Sequence, residues 1–296
     1  MTPSPRSVIL DTDIGSDVDD ALALAVLLGS PEVDLIGCTT VYGDTLLRAR
    51  LAKRLTGLAG QARLAGRTPA VLAGAAETLT GRPVWWAGHE GRLFPDLGSE
   101  QVDEGDAVAY LVERVTAAPG QVDVVAVGPL TDIAHAVTAS PAFARDVRHL
   151  WIMGGRFDGP EPEHNFTSDP EAAAIVFGSG APITVTGLEI TTTVRMDAAD
   201  VAAIAAAGPL GQALKAEIEQ WWRYWNEQWN CPHDPVTVLT MLMPDLFGFS
   251  PEGEVTIGPD GSSTFTPGAG RTRITTTAPP DRVTQEIVHR IVAAAT

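Results

Sequence analysis

The chain has 296 residues, of which 45% are hydrophobic, and it carries a formal net charge of −17 from 37 acidic and 20 basic residues. This length and apolar content are enough to bury a large core, whereas so acidic a surface repels phosphate groups and makes a nucleic-acid polymer or an anionic membrane an unexpected partner. No apolar run reaches the ~18 residues that span a bilayer, and no signal-peptide pattern opens the sequence, so we expect a cytoplasmic protein.

Short β-branched runs alternate with longer Ala/Leu-rich segments over the first two thirds of the chain. In the first helical segment Val18, Leu22 and Val26 recur at i, i+4 and i+8, the spacing of one helical face. Strands are predicted at 8–10, 33–41, 122–127, 147–152 and 182–186, and helices at 18–29, 45–59, 104–118, 131–138 and 170–178. This alternation predicts an α/β fold with a mostly parallel central sheet flanked by helices, a Rossmann-like open sheet.

The last part of the chain has a different pattern. The stretch 250–280 is rich in Gly, Pro and Thr, which indicates hairpins and loops. Because no repeat of fixed period and no low-complexity linker interrupts the sequence, we expect a single domain over residues 1–296.

Polar residues follow almost every predicted strand. In an open parallel sheet, ligands bind beyond the carboxyl ends of the strands, so these residues are candidates for one site. The residues that follow the strands are Asp11, Asp13, Asp17, Asp19 and Asp20 after the first, Asp44 after the second, Thr131 and Asp132 after the third, and Met153, Glu163 and Asn165 after the fourth.

The five aspartates between residues 11 and 20 have two explanations. Carboxylates in the first turn of a helix with Ser16 as N-cap account for one or two of them, but not for Asp11 and Asp13 at the end of the strand. Carboxylates this close repel one another unless a cation or shared protons compensate. Oxygen ligands without nearby cysteines or clustered histidines favour Ca²⁺ or Mg²⁺. The spacing therefore predicts a metal site.

Six segments resemble, in order over about 230 residues, those of the inosine/uridine-type nucleoside hydrolases. They are 11–21 (DTDIGSDVDDA), 39–44 (TTVYGD), 128–134 (GPLTDIA), 152–155 (IMGG), 163–173 (EHNFTSDPEAA, where the family has E-F-N…D-P-E-A-A) and 233–235 (HDP). The resemblance implies a nucleoside hydrolase fold and hydrolysis of the N-glycosidic bond of ribonucleosides to ribose and free base. It also implies a role in nucleoside catabolism and a homodimer or homotetramer.

The resemblance further implies a calcium site. Ca²⁺ is expected on the carboxylates of Asp13, Asp20 and Asp234 and on the main-chain carbonyl of Thr131. Asp13 is also the expected general base, which takes a proton from the calcium-bound water.

The same resemblance assigns the substrate contacts. Asp19 is expected to bind the ribose 2′-hydroxyl, and Glu163 and Asn165 the side of the 3′- and 5′-hydroxyls. His233 is expected to face the base as the candidate general acid. Further substrate contacts are expected from Asp44, His89 and Met153.

The chain departs from the family pattern near this site. Two additional residues precede the aspartate pair, so Asp17 is extra. We align on Asp19 and Asp20, although Asp17 can take the place of either. Asp44 and Asp132 stand where the family has asparagine, which adds charge near the expected cation.

Two aromatic clusters bear on recognition of the base. Trp85 and Trp86 lie in a region that forms a mobile lid in the resembled family. Trp221, Trp225 and Trp229 repeat every four residues, which predicts one face of a helix. These rings either pack in a core or oligomer interface or sandwich the nucleobase. Trp85, Trp86 and Trp225 are the candidates for base contact.

Two other functions fit parts of the sequence. An Asp-Thr-Asp motif after an apolar strand also occurs in haloacid dehalogenase-like phosphohydrolases, but Lys53 and Lys215 are the only lysines and neither has the spacing of a phosphate-binding lysine. A non-catalytic Ca²⁺-dependent ribose- or nucleoside-binding protein would need the metal ligands without Asp13 as base or His233 as acid. The preferred nucleobase stays open.

Overall fold

The computed structural model describes residues 5–60 and 68–296. In these residues the strands are β1 (Arg6–Thr12), β2 (Val33–Thr40), β3 (Ala70–Ala73), β4 (Val122–Ala126), β5 (His149–Met153), β6 (Ile183–Thr186), β7 (Gly248–Phe249), β8 (Gly253–Ile257), β9 (Ser263–Pro267) and β10 (Thr272–Thr277). The helices are α1 (Asp19–Leu28), α2 (Thr45–Leu58), α3 (Ala107–Ala117), α4 (Thr131–Ala139), α5 (Pro141–Asp146), α6 (His164–Ser168), α7 (Pro170–Phe177), α8 (Leu188–Thr191), α9 (Ala198–Ala206), α10 (Pro209–Trp225), α11 (His233–Leu242) and α12 (Pro280–Ala295). Short 3₁₀ turns occur at Leu97–Ser99 and Pro244–Leu246.

The described strands form one sheet in the order β3-β2-β1-β4-β5-β6-β10-β8-β9, with β7 beside β10. The pairs from β3 to β6 are parallel, and β10 also runs parallel to β6. Because these strands point the same way, their carboxyl ends lie at one edge of the sheet. The predicted α/β class and the mostly parallel sheet are confirmed.

Both faces of the sheet are covered, as the apolar strand sequences indicate. In β1, Val8 and Leu10 belong to a core with α1, α2, α11 and α12, whereas Ile9 belongs to a second core with α3, α4 and α7. Successive side chains of a strand point to opposite faces, so a run of fully buried apolar residues packs against helices on both sides of the sheet.

Helix α1 begins later than a cap at Ser16 would place it. Its first residue is Asp19, and the N-cap position is held by Val18 without a side-chain cap. Residues 13–18 therefore form a loop, and Ser16 as N-cap is wrong. At the other end, Gly29 allows close packing on α12, since a Cβ there would lie 1.9 Å from the carbonyl oxygen of Arg290.

The stretch 250–280 contains the expected hairpin, formed by β8 and β9, while β10 joins the parallel part of the sheet beside β6.

Trp221, Trp225 and Trp229 do not share one helical face in the structure, although their spacing predicted it. Helix α10 ends at Trp225, where Asn226 is left-handed with φ of 56°, so Trp229 does not continue that helical face. Trp229 instead lies over the guanidinium of Arg195, whose central carbon is 4.2 Å from the ring centroid.

Among the described residues, no helix is long and apolar enough to cross a membrane.

Candidate active site

A cavity of about 400 Å³ opens at the carboxyl ends of β1, β4 and β5. Six carboxylates line it: Asp13, Asp17, Asp19, Asp20, Glu163 and Asp234. Five residues with ring side chains also line it: Trp85, His164, Trp221, Trp225 and His233. Ser16, Val127, Met153, Asn165 and Leu188 complete the lining. Residues from loops and helices far apart in the sequence thus meet where the sheet topology predicts a ligand site.

Three aspartates form a compact oxygen cluster in this cavity. Asp19 and Asp20 begin α1, Asp234 lies in the first turn of α11, and one carboxylate oxygen of each lies within 4.8 Å of the other two. Burial raises the pKa of all three carboxyl groups well above the ordinary value, and repulsion from neighbouring aspartates of the cavity, including Asp13, raises it further. A divalent cation among them would remove this repulsion, so the donor set fits a hard metal ion.

Asp13 lines the same cavity but is outside the three-aspartate cluster. Its carboxylate Oδ2 lies 4.0 Å from Nη2 of Arg48, whose side chain is fully buried. Arg48 also donates to the main-chain carbonyls of Asp13, Ile14 (2.9 Å) and Tyr42 (2.7 Å). This guanidinium fixes the loop that carries Asp13. Sequence reasoning missed it because an arginine within a helical segment is usually a surface residue.

The extra aspartate also lies in the cavity. The Asp17 carboxylate accepts a hydrogen bond from the backbone N–H of Val18 at 2.5 Å. Burial raises its pKa to about 8, and the nearby Asp20 carboxylate raises it as well. Asp17, Asp19 and Asp20 therefore all line the cavity.

Glu163 and Asn165 are held firmly by the backbone. The Glu163 carboxylate accepts from the N–H groups of Gly155 (3.0 Å), Asn165 (2.7 Å) and Phe166 (3.2 Å). The Asn165 amide donates to the carbonyl of Val127 at 2.6 Å. Gly155 has φ of 74°, and a Cβ there would lie 2.7 Å from the Phe166 ring, so glycine is required in this turn.

Met153 lies next to this pair. The Asn165 amide also donates to the Met153 carbonyl, at 3.3 Å. Met153 is the last residue of β5 and lines the cavity. The structure therefore brings Met153, Glu163 and Asn165 together, as the sequence pattern suggested.

Four predicted site residues lie outside the cavity lining, namely Asp44, Trp86, His89 and Thr131. Asp44 is exposed and caps α2 by accepting from the Leu47 N–H at 2.9 Å. The Thr131 hydroxyl donates to Asp169 at 2.7 Å, which anchors the start of α4.

His89 and Trp86 support the cavity from behind. His89 Nε2 lies 2.8 Å from the carbonyl oxygen of Ser16, and its ring lies edge-on to Trp221. Trp86 lies beneath the Arg48 guanidinium, 4.8 Å from its carbon to the ring centroid. Both residues therefore contact the loop or helix that positions lining residues.

His233 lies beside the aspartate cluster. Its Nδ1 is 2.7 Å from the Thr191 hydroxyl oxygen. Burial lowers the pKa of the imidazole to about 4, so the ring is neutral at neutral pH. In this state it can share a hydrogen bond with a ligand, and its role as the general acid stays a prediction.

Ring side chains on one side of the cavity form an aromatic wall, which we define as Trp85, His164, Trp221 and Trp225. Trp221 and Trp225 are edge-on at 5.8 Å, and Trp85 and His164 are edge-on at 5.7 Å. Tyr224 stacks on Trp221 at 5.6 Å and joins the two pairs. Sequence reasoning overlooked His164 as a site residue, although its position between Glu163 and Asn165 was a usable signal.

Residues 8–289 match the family described as inosine-uridine preferring nucleoside hydrolase. The chain is 34% identical over 260 residues to probable uridine nucleosidase 2 of Arabidopsis thaliana, covering 83% of this chain and 80% of that relative. Its fold is similar to the plant nucleoside hydrolase PpNRh1, with a TM-score of 0.85, 30% identity and coverage of 97% and 99% of the two chains. A purine-preferring ribonucleoside hydrolase from Gardnerella vaginalis shares the fold, with a TM-score of 0.84, 24% identity and coverage of 98% and 99%.

Proposed function

The chain belongs to the inosine-uridine preferring nucleoside hydrolase family and is an N-ribosyl hydrolase of ribonucleosides, and we propose that it works with a Ca²⁺ ion held by the aspartates of the cavity. The observation that carries the metal proposal is the cluster of Asp19, Asp20 and Asp234. These groups offer only carboxylate oxygens, the ligands that calcium prefers.

Asp20 and Asp234 belong both to the ligand set expected from the sequence and to the observed cluster, so we propose them as the principal ligands. Asp19 supplies the third nearby carboxylate and can bind the ribose 2′-hydroxyl with its other oxygen. The Asp13 carboxylate and the main-chain carbonyl of Thr131 stay predictions as further ligands.

We propose Asp13 as the general base. When bound, the ion supplies electrostatic activation of the attacking water and a positive charge that orients the ribose. Asp13 lines the cavity close to the cluster, and Arg48 holds its backbone and carboxylate in place. Its carboxylate takes one proton from the water that attacks C1′ of the ribose. The surrounding carboxylates stabilise the positive charge that develops on the ribose ring.

Glu163 and Asn165 are proposed to bind the ribose hydroxyls. Three backbone N–H groups hold the Glu163 carboxylate, so it is oriented before substrate arrives. A carboxylate oxygen can accept more than one hydrogen bond, which leaves capacity for a ribose hydroxyl. Rigid groups of this kind cost little ordering entropy on binding.

The aromatic wall is proposed to bind the nucleobase by stacking and edge contacts. Uridine is proposed as a substrate, because the relative that is 34% identical to this chain is named a probable uridine nucleosidase.

Neither the phosphohydrolase nor the non-catalytic binding protein considered above is favoured by the comparisons. A cytoplasmic location and a homodimer or homotetramer stay predictions, the latter testable by sedimentation.

The substrate test is a panel of purine and pyrimidine ribonucleosides assayed for ribose release, with p-nitrophenyl phosphate assayed in parallel for phosphate release. We expect ribose from at least uridine and no phosphate from the phosphomonoester. Phosphate release without ribose release would overturn the proposed function.

A further inference from the structure

His164 is a cavity residue whose hydrogen-bonding groups are free. Its side chain is exposed to the cavity, and within residues 5–60 and 68–296 neither ring nitrogen has a hydrogen-bond partner. The family segment that this part of the sequence resembles has phenylalanine at the position. A phenyl ring could pack in the aromatic wall equally well, so packing alone does not require the two imidazole nitrogens of His164.

The backbone on both sides of His164 is fixed. It is the first residue of α6, directly after Glu163, whose carboxylate caps the helix, and directly before Asn165, whose amide binds the Val127 carbonyl. These neighbours are also the groups proposed to bind the ribose. The imidazole therefore lies next to the sugar position.

Two aromatic rings fix the direction of the imidazole. Trp85 lies edge-on to it at 5.7 Å, and Tyr42 lies edge-on at 6.0 Å. The Tyr42 hydroxyl accepts from the backbone N–H of Trp85 at 2.7 Å, which ties the two rings together. The imidazole is thus held within the aromatic wall, where the base is proposed to bind.

The two other histidines near the cavity, His89 and His233, each have one ring nitrogen close to a protein oxygen. His89 Nε2 is next to the Ser16 carbonyl and the residue is outside the lining, while His233 Nδ1 is next to the Thr191 hydroxyl. Imidazole is the side chain that exchanges a proton most readily between pH 5 and 8.

We propose that His164 hydrogen-bonds the nucleobase and gives it the proton that it takes up on leaving. The inference rests on the proposed hydrolysis at this site. The C1′–N bond breaks with its electron pair going to the base, and the protonated imidazole gives its N–H proton to a heteroatom of the base. The attacking water gives its oxygen to C1′ and a proton to Asp13. That proton returns to His164 through solvent, so one water is consumed per turnover.

The test is His164→Phe, which restores the family residue and keeps a ring in the wall. Uridine and p-nitrophenyl riboside are the two substrates, since p-nitrophenolate leaves without a proton. We expect kcat on uridine to fall about 10²–10⁴-fold, while kcat on the p-nitrophenyl riboside stays within about threefold of wild type. His135→Phe, on α4 outside the cavity, is the matched control and should act on both substrates like wild type.

The outcomes of this test distinguish a wrong role for His164 from a wrong hydrolase function. A His164→Phe enzyme that equals wild type on uridine, or that loses both substrates equally, would overturn the role of His164 while the hydrolase function stands. A wild-type enzyme without activity on any ribonucleoside would overturn the function itself. If circular dichroism shows that His164→Phe does not fold, His164→Gln tests the same split between the substrates, because an amide does not carry the proton.

Discussion

Replacing Arg48 with methionine is expected to lower the free energy of unfolding by about 3–5 kcal/mol, the usual cost of leaving a buried polar network without its cation. The guanidinium is fully buried and donates to the carbonyls of Tyr42 at 2.7 Å and Ile14 at 2.9 Å, and to that of Asp13. Each such bond to a charged donor contributes about 1.5–3 kcal/mol net. The contributions do not add fully because the loop relaxes, which keeps the total near the stated range.

The assay is urea unfolding of wild type, Arg48→Met and the control Arg282→Met. The Arg282 side chain is 58% exposed and pairs with Glu286 at 3.2 Å on a helix surface, so its loss should cost less than about 1 kcal/mol. The Asp13 loop also depends on Arg48, so kcat should fall more than KM rises. Equal stability losses in the two variants would refute the argument that Arg48 holds the catalytic loop.

Three further changes test separate parts of the account. The 2′-deoxy analogue of uridine removes a hydroxyl partner of Asp19, so kcat/KM should fall at least about a hundredfold, and equal steady-state rates on both nucleosides would contradict this contact. Asp13→Asn should lower kcat about 10²–10⁴-fold with little change in the urea midpoint, and an unchanged kcat would exclude Asp13 as the base. Burial raises the pKa of Glu217 to about 8 from 4.5, so its ionisation weakens folding as pH rises between those values. Glu217→Gln should therefore flatten the decline of the unfolding free energy between about pH 5 and pH 8, whereas a decline like that of wild type would contradict the burial argument.

The sheet could be predicted because its central strands are continuous apolar runs. Val8, Ile9 and Leu10 are buried on both faces, so hydrophobicity alone identifies the strand, and the polar residues after it mark the edge where ligands bind. The short strand β3 has only four residues and no distinctive pattern, and it was not predicted. This segment forms a strand because it pairs with β2, which is distant in sequence, and not because of its own residue pattern.

The sequence indicated many of the residues that belong to the site, but it did not indicate how their side chains lie relative to one another. Asp19, Asp20 and Asp234 meet because α1 packs against α11, a contact that no local pattern of residues specifies. Trp229 follows the spacing of a helix, but the left-handed Asn226 ends the helix first. Arg48 has a role because the loops after β1 and β2 place three carbonyls around it, which only the tertiary structure reveals.

Calcium dependence of ribonucleoside hydrolysis is the central claim, and its most direct measurement is ribose release from uridine by EGTA-stripped enzyme as Ca²⁺ is added back. Wild type is predicted to lose activity on stripping and to regain it with calcium. Asp234→Ala, folded by circular dichroism, is predicted to stay inactive at every calcium concentration, because it lacks one of the three clustered carboxylates. Full turnover by stripped wild type, or calcium-restored turnover by Asp234→Ala equal to that of wild type, would contradict the account.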